Sequence, residues 1–530
     1  MSHLRRVSVL LLALAVSAVG MAAVTPPADR DLPVPLSRDG VRVPTGFDLE
    51  SYRAEQRQLH LQLAGEQVAL GLERMIVVPV NQQRLMELEQ TACPTCPRPE
   101  RALRAGYVED VGVPVSFAEV LPEMLDGRAH PVARGAVRGD HQGFVYTTAV
   151  HSPGAAGLRI HFTDFFLAPG SELWVYGPQG GAFGPYTLAG SLGTGDFYAN
   201  TVPGDTAIVQ LRHRGDVGRG LNIDRFEIAD IAYVGGPAVR QQAGGAIYQA
   251  SDLCADNADC INAAGGNEGW NDAIALMYYV QRPYMYICSG GALADAATSA
   301  APYYFLTANH CISSDRVAGT LETYWGFLEN DCADACAGPC SAVPRTLGAT
   351  VASTNKTADY TLLSLNSPPP YGAYLGWDAT PIYDTDGAAL QRLSHPSGSP
   401  QAFSTHSVDT TPPVVCSGWS RGPWIYSHDL IGATEGGSSG SPVLNSSGEV
   451  VGQLSGGCGY DVYNTCNNTD NSTVDGAFAY YYASISGLLG GGGGTTNQPP
   501  TASFTFDCTD LSWQQPRRSH QPSMSHLCSQ

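Results

Sequence analysis

Short apolar runs broken by glycine and proline set the pattern of this chain. Gly143–Val150, Leu158–Phe162, Glu172–Tyr176 and Ala207–Arg212 are rich in β-branched and aromatic residues and read as strands, with turns at Gly177-Pro178 and Gly184-Pro185. They predict a small β-sandwich over residues 136–236. A second series runs through residues 246–489 with almost no helical periodicity: Tyr286–Leu293, Tyr303–Ala308, Tyr360–Leu365 and Val450–Leu454. Many short strands over that length fit a pair of β-barrels or a large sandwich. The clearest helical period lies earlier, across Ala54–Met75, where Leu59, Leu61, Leu63, Val68 and Leu72 recur among Gln, Glu and Arg. The expected fold class is all-β.

The two ends break this pattern. Residues 1–23 have the three parts of a secretory signal: Arg5 and Arg6, the apolar run Val7–Val19, then the small residues Gly20, Ala22 and Ala23. The apolar run is short for a membrane span. Residues 24–245 are expected to be a propeptide that includes the sandwich. Gln241–Gly245 forms a small polar seam, and Arg240 just before it is a candidate cut site. Residues 490–498 read as a Gly/Pro linker. Residues 499–530 open with a strand-like Ala502–Phe506, then turn polar, and are too few to bury a core.

Composition narrows the function classes. The formal charge is −20 over 530 residues, which argues against nucleic acid or an anionic membrane as partner. Lys356 is the single lysine. Of 14 cysteines, ten lie between Cys254 and Cys466, and in an exported segment these read as disulfides. Cys93 and Cys96 form a lone CPTC, and Cys332, Cys336 and Cys340 also have metal-like spacing. With no second ligand pair nearby, both are read as disulfide cysteines, and no metal or cofactor is expected.

One stretch carries candidate chemistry. Thr434–Val443 crowds glycines around Ser439, the kind of turn that exposes a hydroxyl and frees backbone N–H groups. Upstream, His310 follows an apolar strand and precedes Cys311, which could pin it as a general base. Asp359 heads the apolar run Tyr360–Leu365, where a buried carboxylate needs a donor such as an imidazole N–H. Their chain order, His310, Asp359, Ser439, is that of the two-barrel serine proteases.

With these words in place, residues 250–490 resemble the lysyl endopeptidase family of secreted bacterial serine proteases. The resemblance rests on Phe305–Cys311, Ser353–Leu365, Gly432–Pro442 and Val451–Gly457. It implies a chymotrypsin-like double β-barrel over 246–489 behind a largely β propeptide. It implies a secreted, monomeric endopeptidase acting on proteins or peptides, with its own propeptide as partner. Ser439 would be the nucleophile, His310 the base and Asp359 its orienting carboxylate, with the amides of Gly437 and Ser439 as oxyanion hole. Cys288 would join Cys311 and Cys260 would join Cys332. Cys254 would take Cys458 or Cys466, leaving the other for Cys416, and Cys336 would pair with Cys340. The tail, from Asn497, resembles the start of a polycystic-kidney-disease-type domain and so implies a truncated copy.

The substrate pocket departs from the family. Ser438 stands where animal trypsin-like enzymes keep the aspartate that pairs with the new N-terminus, and Ala433 where trypsins keep the pocket acid. Thr473 falls at the family's pocket carboxylate, with Asp470 and Asp475 close by as substitutes. Ser455 falls at the pocket histidine, and Trp419 is the candidate pocket tryptophan. A basic P1 preference and a neutral pocket both remain open. Two other readings also stand: a secreted β-sandwich binding protein, and a catalytically inactive protease-like protein.

Overall fold

The structure, a computed structural model, describes residues 35–490 except 71–73, 92–101, 236–255, 258–268, 298–299, 329–341, 420–422, 433, 463–466 and 468. The expected signal, maturation seam and C-terminal tail lie outside the described residues, as do Cys93, Cys96, Cys254, Cys260, Cys332, Cys336, Cys340, Cys466 and Ala433.

The sandwich has two antiparallel layers. One orders Gly180–Tyr186, Ser171–Gly177, Thr206–Arg214, Gly143–His151, Gly135–Asp140 and Ala129–Val132. The other is built on Gly157–Phe166, Arg225–Val234 and Leu103–Ser116. Phe144, Val175 and Leu211 of the first layer and Phe162, Phe226 and Ile228 of the second bury one apolar core, as alternating strands require. The sandwich thus draws in Leu103–Ser116 and, by a parallel pairing with Gly143–His151, Ile76–Val77, all earlier than residue 136. Leu103–Ser116 was hard to read because Glu109, Asp110, Gly112 and Pro114 interrupt its apolar alternation.

The helical period is realised as Leu49–Glu66, capped by Asp48, whose carboxylate accepts the Ser51 amide at 2.8 Å. It ends nine residues before Met75. Leu59 and Leu63 meet Trp174 and Tyr176, whereas Leu61 faces solvent. At its end Glu66 is held by Arg212 at 3.0 Å, and Val68 continues into an extended segment.

Two closed rings of strands follow. Ile274–Gln281, Tyr284–Ala292, Tyr303–Ala308, Tyr360–Leu365, Ala349–Asn355, Arg345–Leu347 and Glu322–Trp325 close the first, around Met277, Phe305, Trp325 and Leu363. Ala389–Ser394, Ala402–Val408, Trp424–Ile431, Asn471–Ala477, Val450–Gly459 and Pro442–Leu444 close the second, each antiparallel to the next. Leu390, Ile425, Val443 and Val451 fill it. The helix Phe478–Leu489 lays Phe478, Tyr481 and Tyr482 beside Trp377 and Tyr360. The fold is a chymotrypsin-like double β-barrel preceded by a β-rich N-terminal region.

That region is woven into the barrels. Leu103–Tyr107 pairs with Tyr284–Ile287, so sandwich and first barrel share one continuous sheet. Ser37–Arg38 pairs with Trp377–Asp378, and Val41–Arg42 with Ala373–Tyr374. A buried ion group crosses the same junction: Glu322 lies 3.1 Å from Arg345 and 3.6 Å from Arg159, and accepts the Thr201 hydroxyl at 2.6 Å. Burial alone would raise the Glu322 pKa, but Arg345 and Arg159 hold it below its ordinary value.

Candidate active site

The apolar strand Tyr303–Ala308 delivers His310 to the cleft side of the first barrel. The carboxylate of Asp359 takes that residue at two points: His310 Nδ1 at 2.7 Å on Oδ2, and the His310 amide at 2.9 Å on Oδ1. Asp359 itself has φ +51°, a left-handed conformation that costs a non-glycine residue about 1 kcal/mol or more. Its surroundings hold it there. Its carbonyl accepts the Asn309 amide at 2.9 Å and Gln453 Nε2 at 3.1 Å.

The Ser439 turn comes from the second barrel and is pinned to the first. Ser289 donates its amide to Ser439 O at 2.8 Å and its hydroxyl to Gly437 O at 2.9 Å. Its neighbour Cys288 is bonded to Cys311, the residue after His310. One dipeptide therefore fixes both the histidine turn and the serine turn, and Cys311 Sγ lies 3.7 Å from Ser439 O. The glycines have a specific task here. Gly437 has φ +104°, and a Cβ on it would fall 2.7 Å from His395 O; Gly440 has φ +81°, and a Cβ there would fall 2.2 Å from Thr307 Oγ1. Ser438 is buried and accepts the Ser394 hydroxyl at 2.9 Å. Among the described residues the amides of Gly437 and Ser439 donate to no protein acceptor. His310 and Ser439 are partly exposed.

Cys288, His310 and Cys311 also lie close enough to suggest a metal site. The two sulfurs are bonded to each other, so neither is available as a thiolate ligand.

The candidate pocket residues are dispersed. Ser455 is turned to the triad, donating to Asp359 Oδ2 at 2.5 Å, rather than forming the pocket wall. Asp475 is fully buried and paired with Arg392 at 2.6 Å, so it is not a substitute pocket acid. Asp470 is exposed and held by Asn467 Nδ2 at 2.9 Å. Thr473 does reach the cavity beside the serine turn, and so does Asp429, which sequence reasoning passed over. Nothing in the local Ser427–Ile431 sequence marks that aspartate. Trp419 packs over Gly456, with its ring 3.7 Å from where a Cβ would stand. Cys458 is bonded to Cys416.

Comparison with known proteins bears on this same region. Residues 248–476 match the family described as lysyl endopeptidase, C-terminal domain. A lysyl endopeptidase from Pseudomonas aeruginosa is 27% identical over 400 residues, covering 69% of this chain and 76% of that protein. Among solved structures, a protease from M. tuberculosis in its active form is 15% identical at TM-score 0.29, covering 46% of this chain and 93% of that one. A serine endoprotease from Yersinia pestis is 13% identical at TM-score 0.29, covering 42% and 64%. Superpositions that loose add nothing to the family match. It is thus the segment 248–476, which holds His310, Asp359 and Ser439, that is similar to the lysyl endopeptidase family.

Proposed function

We propose that this protein is a secreted serine endopeptidase that cleaves peptide bonds through His310, Asp359 and Ser439. The observation that carries the reading is the double hold of Asp359 on His310, beside a serine turn whose Gly437 and Ser439 amides have no protein acceptor among the described residues. Ser439 Oγ attacks the scissile carbonyl carbon while His310 Nε2 takes its proton. The carbonyl oxygen becomes an oxyanion and accepts the amides of Gly437 and Ser439. The C–N bond then breaks, and the leaving amine takes the proton from His310. Water, deprotonated by the same ring, hydrolyses the acyl-enzyme and returns Ser439 to its starting form. Asp359 keeps Nδ1 protonated and stabilises the imidazolium.

Residues 1–23 act as the export signal, residues 24–245 as the propeptide, and the P1 side chain is a lysine or arginine. Secreted protein is treated with a fluorophosphonate, alongside Ser439→Ala. Labelling of the first and none of the second is expected. An unlabelled wild type with no peptide hydrolysis overturns the reading.

A further inference from the structure

Resting on that reading, we infer that Asp429 is the specificity carboxylate of this enzyme, the group that receives a cationic P1 side chain. A cavity of about 60 Å³ lies beside the serine turn and is lined by Asp429, Thr434, Gly457, Cys458, Ser472 and Thr473. Thr434 stands five residues before Ser439, and Gly457 two residues after the serine that holds Asp359. The cavity wall thus includes the segment that leads into Ser439 and the segment that follows Ser455.

Asp429 comes from Trp424–Ile431, a strand of the second barrel. Its side chain is nine-tenths buried. Oδ1 accepts His406 Nδ1 at 2.7 Å and the Thr473 hydroxyl at 2.8 Å. Oδ2 has no protein partner among the described residues and is not sealed off. His406 is itself held from the far side, with Ser404 Oγ 2.8 Å from its Nε2. Burial would raise the Asp429 pKa, but the hydrogen bond and charge attraction of His406, the bond from Thr473 and the attraction of Arg392 hold it low.

A largely buried carboxylate that lines an open cavity and has one oxygen without a protein partner among the described residues asks for a cationic donor. Asp475 cannot serve, because Arg392 already neutralises it in the interior. Thr473 cannot serve as a charge, but it orients the carboxylate that does.

The test uses secreted, processed enzyme and peptides that differ only at P1: lysine, arginine, citrulline and leucine. Wild type should cleave the lysine or arginine peptide better than citrulline and leucine. Asp429→Asn should lose about 10–150-fold in kcat/KM on the cationic peptides, the size of one hydrogen bond to a charged group. Its loss on citrulline should be smaller, so that the lysine-to-citrulline ratio falls. Adding Thr473→Asp to Asp429→Asn should restore the cationic preference, since the Thr473 hydroxyl reaches the same carboxylate. If Asp429→Asn does not label, the wild type decides: butylammonium or benzamidinium should protect Ser439 from labelling where butanol does not. An Asp429→Asn enzyme that keeps the wild-type ratio of lysine to citrulline overturns the assignment. So does a labelled wild type that cleaves leucine as well as lysine, or one that the cations fail to protect. A wild type that never labels overturns the endopeptidase reading along with it.

Discussion

The Ser289 amide donates to the carbonyl of Ser439 at 2.8 Å, tying the turn of the second barrel to a strand of the first. The Ser289 hydroxyl extends the tie. It donates to Gly437 O at 2.9 Å and accepts the His395 amide at 3.0 Å, all within the interior. Ser289→Ala leaves both partners buried and unmatched, which costs about 1–3 kcal/mol of stability. Because Gly437 presents one of the free amides, kcat should fall more than KM rises. Denaturant midpoints and steady-state kinetics on the same preparation check both; an unchanged kcat would rule out the link.

Ser455 competes for the same carboxylate oxygen as the imidazole. Its hydroxyl at 2.5 Å from Asp359 Oδ2 helps fix the acid that fixes His310. Ser455→Ala should reduce kcat by about tenfold or more, the size of a hydrogen bond to a charged group, and Ser455→Thr should recover most of it. Asp359→Asn should lower kcat by about 10⁴, as loss of the correct tautomer does in such triads. Equal kcat for Ser455→Ala and wild type would remove Ser455 from the positioning role.

His395 makes stability depend on pH. It is fully buried, stacks on Phe327 with 6.0 Å between ring centroids, bonds Ser399 O at 2.8 Å through Nδ1, and has no partner at Nε2. Burial pushes its pKa down to about 4. Between about 4 and the unfolded value near 6.5, the unfolded chain binds a proton that the folded chain does not. Stability is therefore complete above that window and is lost as pH falls through it, by about 3 kcal/mol in all. Its carbonyl crowds Gly437, so the loss centres on the serine turn. Urea midpoints from pH 7 to pH 4 should fall steeply for wild type and less for His395→Gln; parallel curves would refute this.

The ion group around Glu322 joins the N-terminal region to the first barrel. Arg159 comes from the sandwich, Glu322 and Arg345 from the barrel, and all three are essentially buried. Arg345→Met removes one cation and leaves the carboxylate under-compensated, at a cost of about 3–5 kcal/mol. Replacing all three with apolar residues should cost less than that single change. Thermal unfolding of both variants decides; a single variant no less stable than the triple would contradict it.

Much of the architecture could be read from local pattern. Period-two apolar runs broken by Gly and Pro mark strands wherever they fall, and both barrels and most of the sandwich are made of such runs. The words around His310, Asp359 and Ser439 stand out for a similar reason. A turn that exposes a serine needs glycine at particular places, and Gly437 and Gly440 occupy backbone conformations and spaces that no side chain could.

What local pattern could not carry is partnership at a distance. Strand pairing runs through backbone groups that every residue has. Nothing in Leu103–Tyr107 therefore announced that it would pair with Tyr284–Ile287 and merge two domains into one sheet. The fate of a carboxylate depends equally on what folds against it. Asp475 and Asp429 look alike in the chain. The first meets Arg392, 83 positions away, and is neutralised in the core. The second meets His406 and Thr473 through one oxygen and lines a cavity. Sequence by itself determined the strands, the glycine turn and the residues able to do the chemistry. Only the tertiary structure decided which acid faces that cavity, because a buried charge takes its role from its neighbours.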